Sequence, residues 1–389
     1  LTGEGEDLWV LVPAAQRRDG TWIDDTLAAR NREAGQEGRA PDAGRFPRQR
    51  VELFRGPGAA EAVDDTFRRR GWTDGLPIVA PTTGRVARLV AALGRPPHEV
   101  LGELAPLGGL ATVERVAANA VMAGCGAAQF HFVVAAVEAI VDPAFNLAGV
   151  QTTDENVAPL VIVSAPESVR TGVELNAGMG VLGPGWRGNA TIGRALRLVL
   201  HNLGGGWPGA VALAGAGQPG RYGLVVAEDD EVCPWPPLRV ELGLEPDRSV
   251  VVVLRAESVV NVTGGLAEIA SAMSSATSLF TAVHHGVAAV LLAPHVALQL
   301  ADRGWSRREV AQRLADEARI PAEVWNRSWV AERTSSGTDR SSGIPVVDRP
   351  DQLVVVVAGG RLAVPQHVWF PSWGFPPALL VREVRLPGP

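Results

Sequence analysis

The chain has 389 residues and a formal net charge of −6, and its 36 basic residues are all arginine, because no lysine occurs. This excludes a lysine aldimine to pyridoxal phosphate, a Walker A lysine and a lysine general base, and leaves arginine to recognise carboxylate or phosphate. The acidic balance, without a basic stripe, argues against nucleic acid, and two cysteines supply neither a disulfide framework nor zinc-ligand spacing.

Residues 1–60 read as an N-terminal arm, 61–210 as a helical and glycine-loop segment carrying the candidate site, and 211–389 as an α/β segment. In the arm, Leu8 to Val12 reads as a short strand, and 28–50 is extended and rich in Arg, Gly, Asp and Pro. Residues 13–55 are too polar to carry a core alone and are expected to pack on another subunit or domain, hence a homo- or hetero-oligomer. A helix is expected over 61–70. Asp74-Gly75 favours a turn in which Asp74 bonds its own backbone, a role preferred over catalysis. Ile78-Val79 reads as a short strand, and Thr82 or Thr83 as the cap of a helix over 85–93. No apolar run reaches membrane-span length, and the first residues lack a basic, then apolar leader, so neither a membrane nor export is expected and the location reads as cytoplasmic.

The chain is organised around two glycine-bracketed stretches. In the first, Val113, Val116, Ala117 and Ala120 recur at helical spacing, Gly124-Cys125-Gly126 interrupts the pattern, and a second apolar helix runs from Ala127 to about Ile140. Cys125 therefore precedes a helix start, where free N–H groups and the helix dipole favour a thiolate; a plain buried cysteine is the competing reading. Glu114, eleven residues earlier, and His131, six residues later, are candidate partners in acid–base work. His131 between Phe130 and Phe132 reads more simply as a packed core histidine.

The second stretch, 176–206, carries Gly178, Gly180, Gly183, Gly185 and Gly188 and then a helix capped by Asn189 or Thr191. A glycine-rich loop entering a helix start is an anion site in outline, with Arg187 and Arg194 beside it; two helices crossing closely is the alternative. It is neither a Walker A loop nor a dinucleotide fingerprint.

Apolar runs at 158–164, 224–227, 249–254, 287–292 and 353–357, and the stretch 378–384, read as strands, and 266–283 as one helix closed by His284-His285. Glu228-Asp-Asp-Glu231 reads as a solvated acidic loop ahead of a divalent-cation site. Ser306-Arg-Arg-Glu309 is a capping box for a helix to about Ala318. Residues 334–343 form a candidate mobile loop. Strands alternating with helices predict an α/β fold, a mixed layered α/β core with an N-terminal extended arm. A weak similarity joins the strand–helix units near 160 and 290.

Asp74-Gly-Leu-Pro-Ile-Val, Thr112-Val-Glu with Asn119 through Gly124-Cys125, Gly183-Pro-Gly with Asn189-Ala-Thr-Ile-Gly-Arg194, Gly217-Gln-Pro-Gly220 and Gly304-Trp-Ser306 together resemble a poorly characterised bacterial family. Its members look like the large component associated with UGSC-type thiol or selenoproteins. The resemblance spans about residues 70 to 320. It matches Cys125 to the family's Gly-Cys position, Glu114 and Asn119 to the preceding helix, and Arg187, Asn189 and Thr191 to the glycine-loop segment. Where the family has Pro-Glu-Tyr after the cysteine, this chain has Ala127-Ala128-Gln129. The expectation is a thiol-dependent lyase or oxidoreductase component acting on a small anionic organic molecule, without metal or cofactor. Cys125 is its nucleophile or thiol relay, with Glu114 and His131. Asn119, Gly183, Gly185, Arg187, Asn189, Thr191 and Arg194 bind substrate. The alternative is a non-catalytic subunit that organises a complex with a separate thiol or selenol protein.

Overall fold

The computed structural model describes residues 7–26, 29, 50–333, 341–374 and 376–386. Two short antiparallel pairs precede the main sheets: β1 (Leu8–Leu11) with β2 (Val51–Phe54), and β3 (Val100–Leu104) with β4 (Gly109–Thr112). The first main sheet is built from β5 (Ala158–Ser164), β6 (Val225–Ala227) and β7 (Val250–Ala256). The second contains β8 (Val260–Thr263) and β9 (Ala288–Leu292). After the small pair β10 (Arg319–Ile320) and β11 (Ile344–Pro345), β12 (Leu353–Val357) and β13 (Gln366–Phe370) complete the second sheet. The last strand, β14 (Leu380–Glu383), returns to the first.

The strand orders are β14-β7-β5-β6 and β12-β9-β13-β8. Each sheet has a central strand, β5 or β9, paired parallel to one edge strand and antiparallel on its other side. Each central strand runs through an Ala-Pro step into a helix, Glu167–Val173 after β5 and Pro294–Asp302 after β9. The weak similarity near 160 and 290 thus has a structural counterpart in the pairing pattern.

Strand alternation assigns the layers. Leu160, Ile162, Val252 and Leu254 of the first sheet share one apolar cluster with Ala289, Leu291, Val354, Val356 and Phe370 of the second. The alternate residues face outward. Val161, Val163, Val251 and Val253 pack under the helices Val113–Ala123, Ala127–Ile140 and Arg187–Asn202, and Val290, Leu292, Val355 and Trp369 pack under Leu266–Met273 and Arg307–Glu317. The result is four layers, helix on sheet on sheet on helix, and the α/β expectation holds. Strands buried on both faces are apolar at nearly every position, with Ser164 and Arg255 near the ends of β5 and β7, which is why they read as near-unbroken runs.

The break at Gly124-Cys125-Gly126 is real. The helix Val113–Ala123 ends on Gly124 at φ 91°, a left-handed conformation that suits glycine, and a new helix opens at Ala127. Other expectations are corrected. Ile78-Val79 forms no strand; Arg194 holds the carbonyls of Leu76 and Pro77, and the Val79 N–H bonds the Met122 carbonyl. The helix expected over 266–283 is two, Leu266–Met273 and Leu279–His284, because the Ser274 and Ser275 hydroxyls turn back onto the carbonyls of Ala270 and Ala272. Asn189 and Thr191 do not cap their helix, which already begins at Arg187 after Trp186. In the arm, residues 7–26 pack on the chain's own first core through Val10, Leu11, Ala14 and Ala15. Most of 28–50, like 334–340, lies outside the described residues. Among the described residues no single helix is long and apolar enough to cross a membrane.

The acidic run is not a solvated loop. Glu228 is fully buried at the end of β6 and accepts from the Ser164 hydroxyl at 2.5 Å, the Leu238 N–H at 2.8 Å and the Arg307 guanidinium at 2.8 Å. Asp230 takes Arg170 and Arg239, each at 2.8 Å. Arg307 also donates to the Val355 carbonyl of β12 at 2.7 Å, so this cluster clamps the two sheets at one end. Removing one partner of a buried ion pair strands the other charge. Arg307→Ala should therefore lower the unfolding free energy by about 3–5 kcal/mol, read as a drop in the urea midpoint followed by circular dichroism.

Candidate functional site

The helix Arg187–Asn202 positions the site. Arg194, Arg197 and His201 are spaced i, i+3, i+7 and so share one stripe of it. The facing wall is the turn-rich segment 208–222. It reaches the helix because Gly193 and Gly223 touch: a Cβ on Gly193 would lie 2.7 Å from the Gly223 Cα, and one on Gly223 would lie 2.8 Å from the Arg194 nitrogen. This backbone contact sets Arg221 and Tyr222 opposite the stripe. Gln218 anchors the same segment, its Nε2 donating to the carbonyls of Asn156, Ala256 and Glu257.

Between these walls lies a cavity of about 610 Å³, lined by Thr73, Asp74, Arg197, His201, Gln218, Arg221 and Tyr222 with Pro208, Ala212, Ala214, Ala216 and Pro219. Its charges are unequal. Asp74 is claimed by Arg194 through a bidentate pair at 2.9 Å, and its Oδ1 also accepts the Leu76 N–H, the turn bond expected from the sequence. Burial pushes the Asp74 carboxyl up, but Arg194 more than offsets it and leaves it below its ordinary value. Arg197 and Arg221 have no carboxylate partner among the described residues. Arg197 donates to the Gly206 carbonyl, and burial followed by the like charge of Arg221 brings it down to about 10. Burial also lowers Arg221. His201 is 6 % exposed; one ring nitrogen, Nε2, lies 2.6 Å from the Gly71 carbonyl, so it carries the proton, and Nδ1 has no partner. Burial, then Arg197, hold this imidazole near 4, so it is neutral at physiological pH. A smaller, mostly apolar pocket is also lined by Arg197 and Arg221, together with Gln151, whose Oε1 is unpartnered.

The residues singled out in the sequence separate. Cys125 and Arg187 line one hollow of about 310 Å³ together with Arg85 and Arg88, but none of the loop glycines joins them. The thiol is not a thiolate in waiting: burial pushes it up to about 12, and its Sγ donates to the Thr191 carbonyl at 3.3 Å. The helix start beside it does not offset that desolvation. Arg187 donates to the Gly124 carbonyl at 3.0 Å and faces Glu174 at 3.6 Å. Glu114 pairs with Arg50 and lines a different hollow with His98 and Arg115. His131 bonds the Arg385 carbonyl at 2.8 Å and is a core histidine whose ionisation burial lowers. Asn119 holds the carbonyls of Pro13 and Arg115 and accepts from Asn202. Asn189 is buried inside the glycine loop, bonding Asn176 in both directions and the Val181 carbonyl. Thr191 returns its hydroxyl to the Arg187 carbonyl. Gly183 and Gly185 sit exposed at φ 90° and 119°. Arg194 faces Asp74 instead of an anion. Among the described residues no three His, Cys, Asp or Glu side chains converge as a metal site.

The cavity residues Arg197, His201, Arg221 and Tyr222 were not singled out by sequence reasoning. The available signal was the stripe Arg194, Arg197, His201 on one predicted helix, and the only tyrosine of the chain after a glycine-rich turn.

Glu257 titrates outside the cavity. Its backbone carbonyl accepts from Gln218 at 2.6 Å, its Oε2 is buried without a partner, and burial followed by the charge of Glu155 raises its carboxyl to about 7. The folded protein thus holds this proton more tightly than the unfolded chain. The stability it contributes is complete below the ordinary value of 4.5 and is lost as pH rises to about 7. Glu257→Gln should flatten that decline and raise stability at alkaline pH by about 1–3 kcal/mol, measured as unfolding free energy against pH. The thiols give a second check. Burial raises Cys233 to about 11 and Cys125 to about 12, so the folded chain should resist iodoacetamide at neutral pH and both thiols should react after denaturation. An alkylation step near neutrality in the folded state would contradict this placement.

No family model matches the chain, and no curated protein matches it.

Proposed function

We propose that the chain binds a small anionic organic molecule, its acid group between Arg197 and Arg221 and its body against Ala212, Ala214, Ala216 and Pro219. One observation carries this reading: two guanidiniums without a carboxylate partner among the described residues line the same cavity. Buried charge is costly until it is paired, and arginine is suited to carboxylate and phosphate oxygens. The neighbouring acid, Asp74, is already committed to Arg194.

The thiol-dependent enzyme is the second reading. It is favoured by Cys125 sharing a hollow with Arg85, Arg88 and Arg187. It ranks lower because a thiol held near 12 supplies almost no nucleophilic thiolate at neutral pH. Kinship with the UGSC-associated family, a cytoplasmic location and a thiol or selenol protein partner belong to this proposal, the partner bringing the reactive group that Cys125 does not.

Calorimetric titration with small carboxylates and phosphate esters tests it. Arg221→Gln should weaken binding by about 1.5–3 kcal/mol, the range for hydrogen bonds to charged groups, while Cys125→Ser leaves it unchanged. Binding lost with Cys125→Ser and retained with Arg221→Gln would transfer the ligand to the cysteine hollow.

A further inference from the structure

Resting on the anion-site reading above, we infer that the cavity takes a dianion, a phosphate monoester or a dicarboxylate, and discriminates against singly charged acids. The argument is a charge count over every group that faces it. Arg194 and Asp74 neutralise each other at 2.9 Å. Tyr222, about half exposed, adds a phenolic hydroxyl to the lining. His201 lines the wall as a neutral ring, because burial and then the charge of Arg197 disfavour its second proton, and its Nε2–H goes to the Gly71 carbonyl. A net of two positive charges remains, on Arg197 and Arg221, neither of which forms an ion pair among the described residues; Asp74, already paired with Arg194, favours the Arg197 charge only from a distance.

The two guanidiniums lie close enough for Arg221 to oppose the protonation of Arg197. A monoanion between them relieves half of this imbalance, and a dianion relieves all of it. The donors are also left for such a ligand: Arg197 gives one hydrogen bond to the Gly206 carbonyl, and the Arg221 guanidinium gives none. Phosphate and dicarboxylate oxygens accept several charge-assisted bonds at once, which a lone carboxylate does less fully.

Across neutral pH His201, which titrates near 4, stays neutral, while Arg197, near 10, and Asp74, below its ordinary value, stay charged; burial lowers Arg221, and sulfate, a dianion throughout, reads out any change there. A pH dependence shown by phosphate and not by sulfate therefore reports the ligand. The experiment is calorimetric titration of the full chain at low ionic strength with sulfate, inorganic phosphate, malonate and acetate, at about pH 6 and about pH 8, bracketing the loss of the second phosphate proton. Sulfate should bind equally at both, phosphate should tighten several-fold at the higher pH, and acetate should bind about tenfold or more weakly than sulfate. Arg221→Gln should reduce sulfate affinity about tenfold and acetate affinity less. The comparison of malonate with phosphate identifies which dianion is preferred.

Acetate matching sulfate, with Arg221→Gln weakening both alike, would overturn the dianion and leave the anion site standing. Failure of all four anions to bind the wild-type chain would overturn both. The wild-type comparison decides between these outcomes without the variant.

Discussion

Two sheets packed face to face are the constraint on which the rest of the structure depends. Leu160, Ile162, Val252 and Leu254 meet Ala289, Leu291, Val354, Val356 and Phe370 across a layer closed to water. Helices cover both outer faces, so the central strands have no solvent side. At roughly 25 cal/mol per Å² of apolar area, this layer is a main source of stability. It also dictates where polar groups go: to the strand ends, where Glu228, Ser164 and Arg307 meet. A charge at such an end is tolerated only when paired and hydrogen-bonded.

A chain without lysine meets its need for cations with one side chain, and the structure sorts the arginines by partner. Arg307, Arg239 and Arg170 close the clamp beside the sheets, Arg194 holds Asp74, and Arg70 holds Glu52. Against that background, Arg197 and Arg221 stand out because both are partly buried beside one cavity without an ion-pair partner among the described residues, whereas Arg88, on the Cys125 hollow with Arg85, is exposed to solvent. Each guanidinium offers five donors in a fixed plane, so few of them are answered by one carbonyl at Gly206.

The two glycine-bracketed stretches have different consequences from those their composition suggests. Gly124 is a helix stop, and its left-handed backbone sets the buried Cys125 against the Thr191 carbonyl. The loop around Gly183 and Gly185 is organised from inside by Asn176 and Asn189. The consequential glycines lie further on, at 193 and 223. There the absence of side chains lets a helix and a turn meet backbone to backbone, which creates one wall of the cavity.

The sequence by itself determined the elements whose chemistry is local. The near-unbroken apolar runs of β5, β9 and β12, the Ser306 capping box and the helix stop at Gly124 follow from side-chain patterning, capping and backbone sterics, all of which act within a few residues. So did the class, since helices and doubly buried strands alternate along the chain. Tertiary structure decided what depends on neighbours distant in sequence. The run Glu228 to Glu231 reads as solvated until Arg170, Arg239 and Arg307 converge on it. Cys125 reads as a helix-start thiolate until desolvation raises its thiol. The helix stripe of Arg194, Arg197 and His201 was legible, but nothing within it distinguishes the arginine that meets Asp74 from the one that meets a cavity. That distinction is a matter of charge balance in space: residue 74 lies 120 positions from Arg194, and only the fold brings its carboxylate there.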